Sequence, residues 1–98
     1  MKSEDVIARL RDCETELRAR GVRHAALFGS VARGDATAAS DIDIMLDLDP
    51  EAVGDVYDYV GLKDYVASLF PGPVDVVNRA GLKSYVRPPA EAEALYAF

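Results

Sequence analysis

The sequence predicts an α+β domain, a mixed α/β arrangement in which helices pack against a small β-sheet. Two long segments carry apolar residues at helical spacing, and three shorter segments are alternating or continuously apolar, as strands are. Half of the 98 residues are apolar, which is typical of a folded globule. A chain of this length folds around one core, so we expect a single domain over residues 1–98.

The first helical segment covers residues 3–20. Ser3 is the predicted cap, acidic residues follow it at the positive end of the helix, and Gly21 is the predicted stop. Cys13 is the only cysteine, which excludes a disulfide framework and a thiolate metal cage. The apolar stripe of this helix consists of Val6, Leu10, Cys13 and Leu17.

Two strands, with a short turn between them, follow the first helix. Residues 22–29 form a mostly apolar run that predicts a buried strand ending near Phe28. Ser30 and Gly34 then stand where a short helix would begin and end. After a loop of small residues, residues 41–48 alternate acidic and apolar side chains, which predicts the second strand.

The second half of the chain predicts one more long helix, a third strand and a less regular ending. Residues 56–70 form the helix, and residues 73–78 form the strand. Short helices are expected at residues 80–87 and 90–98, separated by two prolines, although the last residues alternatively pair as an edge strand. The apolar positions of the long helix are Val56, Val60, Val66 and Leu69.

The charge and the hydropathy pattern restrict the class of partner. The formal net charge is −6, and a protein that binds DNA or RNA along a groove needs a basic surface, so we expect no direct nucleic-acid partner. No segment approaches the ~18 apolar residues of a membrane span, and the first residues lack the apolar region of a signal peptide. We therefore expect no membrane association and a cytoplasmic location.

Carboxylates alternate with apolar residues in the segment DIDIMLDLD. On a strand, Asp41 and Asp43 share one face about 6.6 Å apart, where like charges repel. Magnesium binds through one or two carboxylates together with substrate phosphates and would offset this repulsion, whereas a solvated sheet face is the alternative interpretation. Asp47 lies about 13 Å from Asp43 along the strand, too far to ligate the same ions. We interpret Asp47 and Asp49 as the solvated end of the strand.

The Gly29–Ser30 pair stands at the end of the first predicted strand. Glycine allows a phosphate to approach the free backbone N–H groups of a turn closely, and the Ser30 hydroxyl adds one donor. A structural turn without a ligand is the alternative.

Asp75 is an acidic residue inside the third predicted strand, between two valines, in a segment that predicts burial. A buried aspartate is costly unless it is paired, protonated or bound to metal. Adjacent strands lie about 4.8 Å apart, so Asp75 would reach Asp41 and Asp43 if its strand is their neighbour. Three such carboxylates can hold two metal ions for phosphoryl chemistry. The alternative is that Asp75 points outward or pairs with an arginine.

These features in combination resemble a known signature. Gly29-Ser30, ten intervening residues and Asp41-Ile42-Asp43 resemble the motif of the nucleotidyltransferase superfamily that includes DNA polymerase beta. The segment FGSVARGDATAASDIDIMLD is similar to its smallest branch, the minimal nucleotidyltransferases (MNT), and the endings VDVVNRAGLKSYVR and EAEALYAF are similar too. The resemblance covers residues 22–98 and implies the nucleotidyltransferase fold, a small mixed β-sheet packed with helices.

The resemblance also implies a set of site residues. Two Mg²⁺ ions would be bound by the first two aspartates of the set, and the third would complete the acidic triad and help to activate the attacking hydroxyl. The catalytic and metal-binding residues implied are Asp41, Asp43 and Asp75. The residues implied to contact the phosphates of ATP are Gly29, Ser30 and Arg33. For Arg33, a solvated surface position is the alternative.

The reaction that the resemblance implies is attack by an acceptor hydroxyl on the α-phosphate of ATP, with release of pyrophosphate. The chain has no room for a separate acceptor-binding domain, so we expect a partner to supply the acceptor. Proteins of this branch are commonly antitoxins that transfer AMP to a tyrosine of a HEPN-domain ribonuclease toxin, which implies a hetero-oligomer with such a toxin. The alternatives are inhibition of the toxin by stoichiometric binding alone and a nucleotide-sensing domain without transfer.

The apolar tail offers a candidate contact surface for that partner. Its aromatic residues form either a docking surface or part of the ordinary core. They are Tyr85, Tyr96 and Phe98.

Overall fold

A computed structural model describes residues 2–37, 40–82 and 87–98. Four strands form one sheet, helices pack against it, and a 3₁₀ turn at Arg79–Gly81 follows the third strand. The helices are α1 (Ser3–Asp12), α2 (Glu14–Ala19), α3 (Gly29–Arg33), α4 (Val56–Ser68) and α5 (Arg87–Glu93). The strands are β1 (Val22–Phe28), β2 (Ile42–Leu48), β3 (Val74–Asn78) and β4 (Leu95–Tyr96).

The sheet is mixed, as the sequence predicts. Its strand order is β3-β2-β1-β4. β1 runs antiparallel to both β2 and β4, whereas β2 and β3 are parallel. The parallel pair requires a crossover connection, and α4 provides it. The fold class predicted from the sequence is therefore confirmed.

The predicted first helix is interrupted near its middle. The N–H of Cys13 donates to the carbonyl of Leu10, only three residues back, and this 3₁₀-type bond separates α1 from α2. The start also differs from the prediction, because Ser3 is already helical and Lys2 is the cap, with its N–H donating to the Asp5 carboxylate. The helical segment stops at Gly21 as predicted, with φ of +98°.

One face of the sheet carries the hydrophobic core. Alternate residues of β1 and β2 point toward α1, α2 and α4, because successive side chains of a strand leave opposite faces. The sheet contributes Ala25, Leu27, Ile44, Leu46 and Val76 to this core, all buried. The helices contribute Val6, Leu10, Leu17, Leu62 and Val66, also buried. Cys13 is half-buried at the edge of the core.

The apolar stripe predicted for α4 is partly wrong. Val66 is buried, but Val56 and Val60 are 66% and 50% exposed, and Leu62 is buried in their place. The helix begins where predicted, because the Asp55 side chain accepts the N–H of Asp58 at 2.9 Å. The buried residues of α4 therefore lie in the C-terminal half of the helix.

The last residues of the chain form both a short helix and an edge strand, the two alternatives that the sequence left open. The predicted helix at residues 80–87 is replaced over its first part by the 3₁₀ turn, and Tyr85 lies outside the described residues. Pro88 falls in the first turn of α5, where the missing N–H of proline has no helical partner to lose. The following residues form β4 on the edge of the sheet, and Phe98 packs partly against the core.

No helix in residues 2–37, 40–82 and 87–98 is long and apolar enough to cross a membrane.

Candidate active site

The parallel pairing of β2 and β3 sets two aspartates side by side. Asp43 and Asp75 are register partners, so their side chains leave the same face of the sheet, opposite the core. Asp43 is half-buried, whereas Asp75 is exposed, which differs from the burial that its sequence context predicts. The reason is position: β3 is an edge strand, and the face that carries Asp75 is the one away from the core helices.

The pKa of Asp43 is shifted by its surroundings. Its pKa is raised above the ordinary aspartate value, first by burial, then by the negative charge of Asp75, and then by that of Asp41. Arg33 acts in the opposite direction and lowers the pKa of Asp43. Asp41 itself is exposed and stands immediately before β2. The charges of Asp41 and Asp75 therefore both act on Asp43.

Gly29 lies directly against this carboxylate group. Its neighbour Phe28 is the register partner of Asp43, so the turn after β1 approaches the start of β2. Gly29 has φ of +76°, a conformation that residues with a Cβ rarely adopt. A Cβ added at Gly29 would stand 3.0 Å from Cγ of Asp43 and would overlap the Oδ2 atom. Glycine is therefore required here both by the backbone and by the approach of Asp43.

Ser30 lies in the first turn of α3, one residue after that glycine. It was the predicted cap, but the helix already begins at Gly29, with Phe28 in the cap position. Its carbonyl accepts the N–H of Asp35, which helps to close the turn at the end of α3. Gly34 ends the helix in the left-handed conformation, with φ of +80°.

Arg33 lies at the other end of α3 and is held by two carboxylates. Its Nε is 3.3 Å from Asp35 and its Nη1 is 2.9 Å from Glu93, which belongs to α5. The Arg33 side chain is about half exposed. Arg33 is thus a surface arginine whose charge still reaches Asp43. Sequence reasoning did not find Glu93, because it is 60 residues away from Arg33 and no local spacing signals the contact.

The donor chemistry of the carboxylates fits a hard divalent cation. Such ions take carboxylate oxygens, and magnesium typically takes one or two from the protein together with substrate phosphates. The register pair Asp43 and Asp75 supplies two carboxylates, with Asp41 beside them. In the described parts of the chain, no group of three or more Asp, Glu, His or Cys side chains is close enough to hold a metal ion. The structure therefore places the carboxylates of Asp43 and Asp75 on register partners, with Asp41 just before β2.

The remaining aspartates of the DIDIMLDLD segment have contacts of their own. Asp47 lies 3.9 Å from Arg79, and Asp49 lies 3.5 Å from Arg23. The Asp49 carboxylate also accepts the N–H of Glu51 at 3.0 Å, which fixes the turn after β2. These contacts agree with the structural interpretation of both residues.

Comparisons with known proteins show similarity to nucleotidyltransferases. The family described as nucleotidyltransferase domain matches residues 10–97. The protein adenylyltransferase MntA of Thermococcus cleftensis is 34% identical over 94 residues, covering 95% of this chain and 93% of the relative. A Methanocaldococcus jannaschii protein assigned as a protein adenylyltransferase is 34% identical over 76 residues, 76% of each chain.

A solved structure supports the same relationship at the level of the fold. It was assigned as a minimal nucleotidyltransferase, and it superimposes on this chain with a TM-score of 0.80 at 29% identity. The match covers 97% of this chain and 95% of that one. The arrangement of strands and helices described above is therefore that of a known small enzyme fold.

Proposed function

The chain belongs to the nucleotidyltransferase domain family and is a nucleotidyltransferase of the MNT type, and we propose that it is an antitoxin that adenylylates its toxin. It would move AMP from ATP to a tyrosine of a HEPN-domain ribonuclease, with Mg²⁺ as cofactor. The observation that carries this proposal is the register pair Asp43 and Asp75 beside Gly29. The adenylyltransferase names of its relatives support the choice of a protein as the acceptor.

The nucleotide would lie at the turn between β1 and α3. Gly29 lacks a Cβ and has a positive φ, so the terminal phosphates could approach the backbone N–H groups of this turn, beside the Asp43 carboxylate. The Ser30 hydroxyl would donate to a phosphate oxygen. Arg33 would supply positive charge from the end of the same helix, since its field already reaches Asp43.

The carboxylates would bind the metal. Asp41 and Asp43 would be ligands, and Asp75 would complete the set. When bound, Mg²⁺ neutralises negative charge on the phosphates and on the leaving group. The pKa of Asp43 is raised first by burial and then by the charges of Asp75 and Asp41, and a cation would offset the repulsion from those two carboxylates.

The reaction would be a single displacement. The tyrosine hydroxyl oxygen forms a bond to the α-phosphorus of ATP, the bond between that phosphorus and the bridging oxygen breaks, and pyrophosphate leaves. Asp75 would accept the phenolic proton, and its exposure makes it accessible to an acceptor that arrives on a separate protein. The rest of the catalysis would be positioning and charge neutralisation.

The acidic surface supports an antitoxin role. A net charge of −6 is complementary to a ribonuclease, which needs a basic surface to bind RNA. The two proteins would form a hetero-oligomer in which the acceptor tyrosine enters the face that carries Asp43 and Asp75.

The experiment combines the purified chain with ATP labelled on the α-phosphate, Mg²⁺ and the protein encoded by the adjacent gene. Label on a tyrosine of that protein, together with loss of its ribonuclease activity, is the expected result. The variant Asp41→Asn should abolish labelling. The matched control is Asp47→Asn, the same change within the DIDIMLDLD segment at a residue whose carboxylate lies near Arg79.

Two outcomes would overturn the proposal. Inhibition of the ribonuclease without any label would show stoichiometric binding instead of catalysis. Equal labelling by wild type and Asp41→Asn would show that the carboxylates do not carry the reaction.

A further inference from the structure

The helix α5 is joined to two other elements by two similar ion pairs. Glu93 pairs with Arg33 at 2.9 Å, and Glu91 pairs with Arg79 at 2.8 Å. Arg33 belongs to α3, and Arg79 belongs to the 3₁₀ turn after β3, so the two pairs connect α5 to both of these elements. The helix itself contacts α3 and β1.

The two ion pairs differ in one respect that matters for function. Arg33 closes the helix that begins at Gly29, and its charge reaches Asp43. Arg79 instead lies near Asp47, at the opposite end of β2 from Asp43. Of these two ion pairs of α5, the one made by Glu93 therefore engages a cation of the candidate nucleotide site.

We propose that Glu93 is an intramolecular competitor for nucleotide phosphate at Arg33, so that ATP binds only when the Glu93 carboxylate has been displaced. This inference rests on the proposed function, because it assumes that nucleotide phosphate reaches the start of α3. A carboxylate and a phosphate oxygen are both acceptors for the same guanidinium N–H groups, and they cannot occupy one donor together.

The geometry allows this exchange. The Arg33 and Glu93 side chains are 47% and 37% exposed, and an ion pair as exposed as this one contributes little to stability. Carboxylate and phosphate can both bind guanidinium in a bidentate manner, but the phosphates of ATP carry more charge, so they are the stronger ligand. Asp35 contacts Arg33 through Nε, whereas Glu93 takes Nη1, so the loss of Glu93 still leaves one side of the guanidinium oriented.

Displacement of Glu93 would leave α5 attached to the fold. The pair between Glu91 and Arg79 and the edge strand β4 both hold the segment in place. Displacement of the Glu93 side chain would therefore change the affinity for nucleotide without detaching α5 from the rest of the fold. Its removal should lower the dissociation constant of ATP and the KM for ATP, while kcat stays near the wild-type value.

The test is isothermal titration with an ATP analogue that has carbon in place of the bridging oxygen between the α- and β-phosphorus, so that no transfer occurs. Wild type, Glu93→Gln and Glu91→Gln are compared in the presence of Mg²⁺. The two variants remove the same charge from the same helix, and each removes the ion pair with its arginine described above. Glu93→Gln should bind the analogue about two- to fivefold more tightly than wild type, and Glu91→Gln should match wild type.

A second variant separates competition from a change in structure. Glu93→Asp keeps the charge and should restore at least part of the wild-type dissociation constant. Equal binding by wild type and Glu93→Gln, or equal tightening in Glu91→Gln, would overturn the inference and leave the proposed function standing. No binding of the analogue by any of the proteins, all with wild-type thermal unfolding, would overturn the proposed function itself.

Discussion

Asp43 on β2 and Asp75 on β3 are register partners, so the parallel pairing of two strands places two like charges side by side on one face. Like charges directly opposite each other destabilise a sheet by about 0.2–1 kcal/mol. Burial raises the pKa of Asp43 most, and the negative charges of Asp75 and Asp41 raise it further, which shows that the repulsion acts on this carboxylate. A fold keeps such a pair where function requires it, because positions that break a local stability rule cluster at functional sites.

The first prediction is that Asp43→Asn loses activity but gains stability. The variant should lose adenylyl transfer by about 100- to 1000-fold, because a residue that organises charge in the transition state is removed. It should also be more stable than wild type by about 0.2–1 kcal/mol at pH 7, because the repulsion with Asp75 is gone. Urea unfolding and labelled transfer measure the two effects. A variant that is both inactive and destabilised would contradict the argument.

The second prediction concerns the pH dependence of stability. The folded-state pKa of Asp43 is raised above 3.8, so between these two values the folded protein binds more protons than the unfolded chain. The stabilising contribution from protonation of Asp43 is therefore fully present below about pH 3.8 and is lost as the pH rises through the folded pKa of this residue. Wild type and Asp43→Asn should be equally stable near pH 3, and the variant should gain the advantage by about pH 6–7.

Urea unfolding at several pH values tests this prediction. In Asp75→Asn burial still raises the pKa of Asp43 but the charge of Asp75 is absent, so the loss of stability should be smaller and should be complete at a lower pH than in wild type. A stability difference between wild type and Asp43→Asn that shrinks as the pH rises would show that the sign is wrong.

Much of the fold follows from residues that are close together in the sequence. The stripe formed by Val6, Leu10 and Leu17 predicts the first helical segment, and all three residues are buried. The alternation from Ile42 to Leu48 predicts β2, because a period of two marks a strand with one buried face. The family resemblance predicts the mixed sheet. These features depend on local periodicity or on a specific motif.

What the sequence does not predict depends on contacts between distant residues. Val56 and Val60 have helical spacing but lie on the outer side of α4, because only tertiary packing decides which side of a helix is covered. Spacing alone leaves open whether Asp75 faces Asp43, since this requires knowledge of strand order. The Arg33–Glu93 pair joins residues 60 positions apart and has no local signal.

The third prediction compares two glycines with nearly the same backbone conformation. Gly29 and Gly34 have φ of +76° and +80°, so alanine at either position should cost about 1–2 kcal/mol of strain. A Cβ at Gly34 meets nothing within 4 Å, whereas one at Gly29 overlaps the Asp43 carboxylate. Gly29→Ala should therefore be less stable than Gly34→Ala by about another 1–3 kcal/mol.

The same pair of variants also tests the site. Gly29→Ala should lose about 100-fold in transfer, because it displaces Asp43, whereas Gly34→Ala should retain activity at temperatures where it is folded. Denaturant unfolding and the labelling assay give both numbers for each variant. Similar losses of activity in the two variants would mean that only backbone strain matters and that the close approach of Gly29 to Asp43 has no catalytic role.

The last prediction is that Mg²⁺ stabilises the protein by relieving the repulsion between Asp43 and Asp75. A ligand at ten times its dissociation constant stabilises the folded state by about 1.4 kcal/mol, which corresponds to about 5–10 °C in melting temperature for a domain of this size. The shift should reverse on addition of a chelator and should be absent from the double variant Asp43→Asn/Asp75→Asn at equal ionic strength. Because screening by salt would act on every exposed carboxylate, an equal shift in the double variant would assign the effect to general charge screening and not to these two side chains.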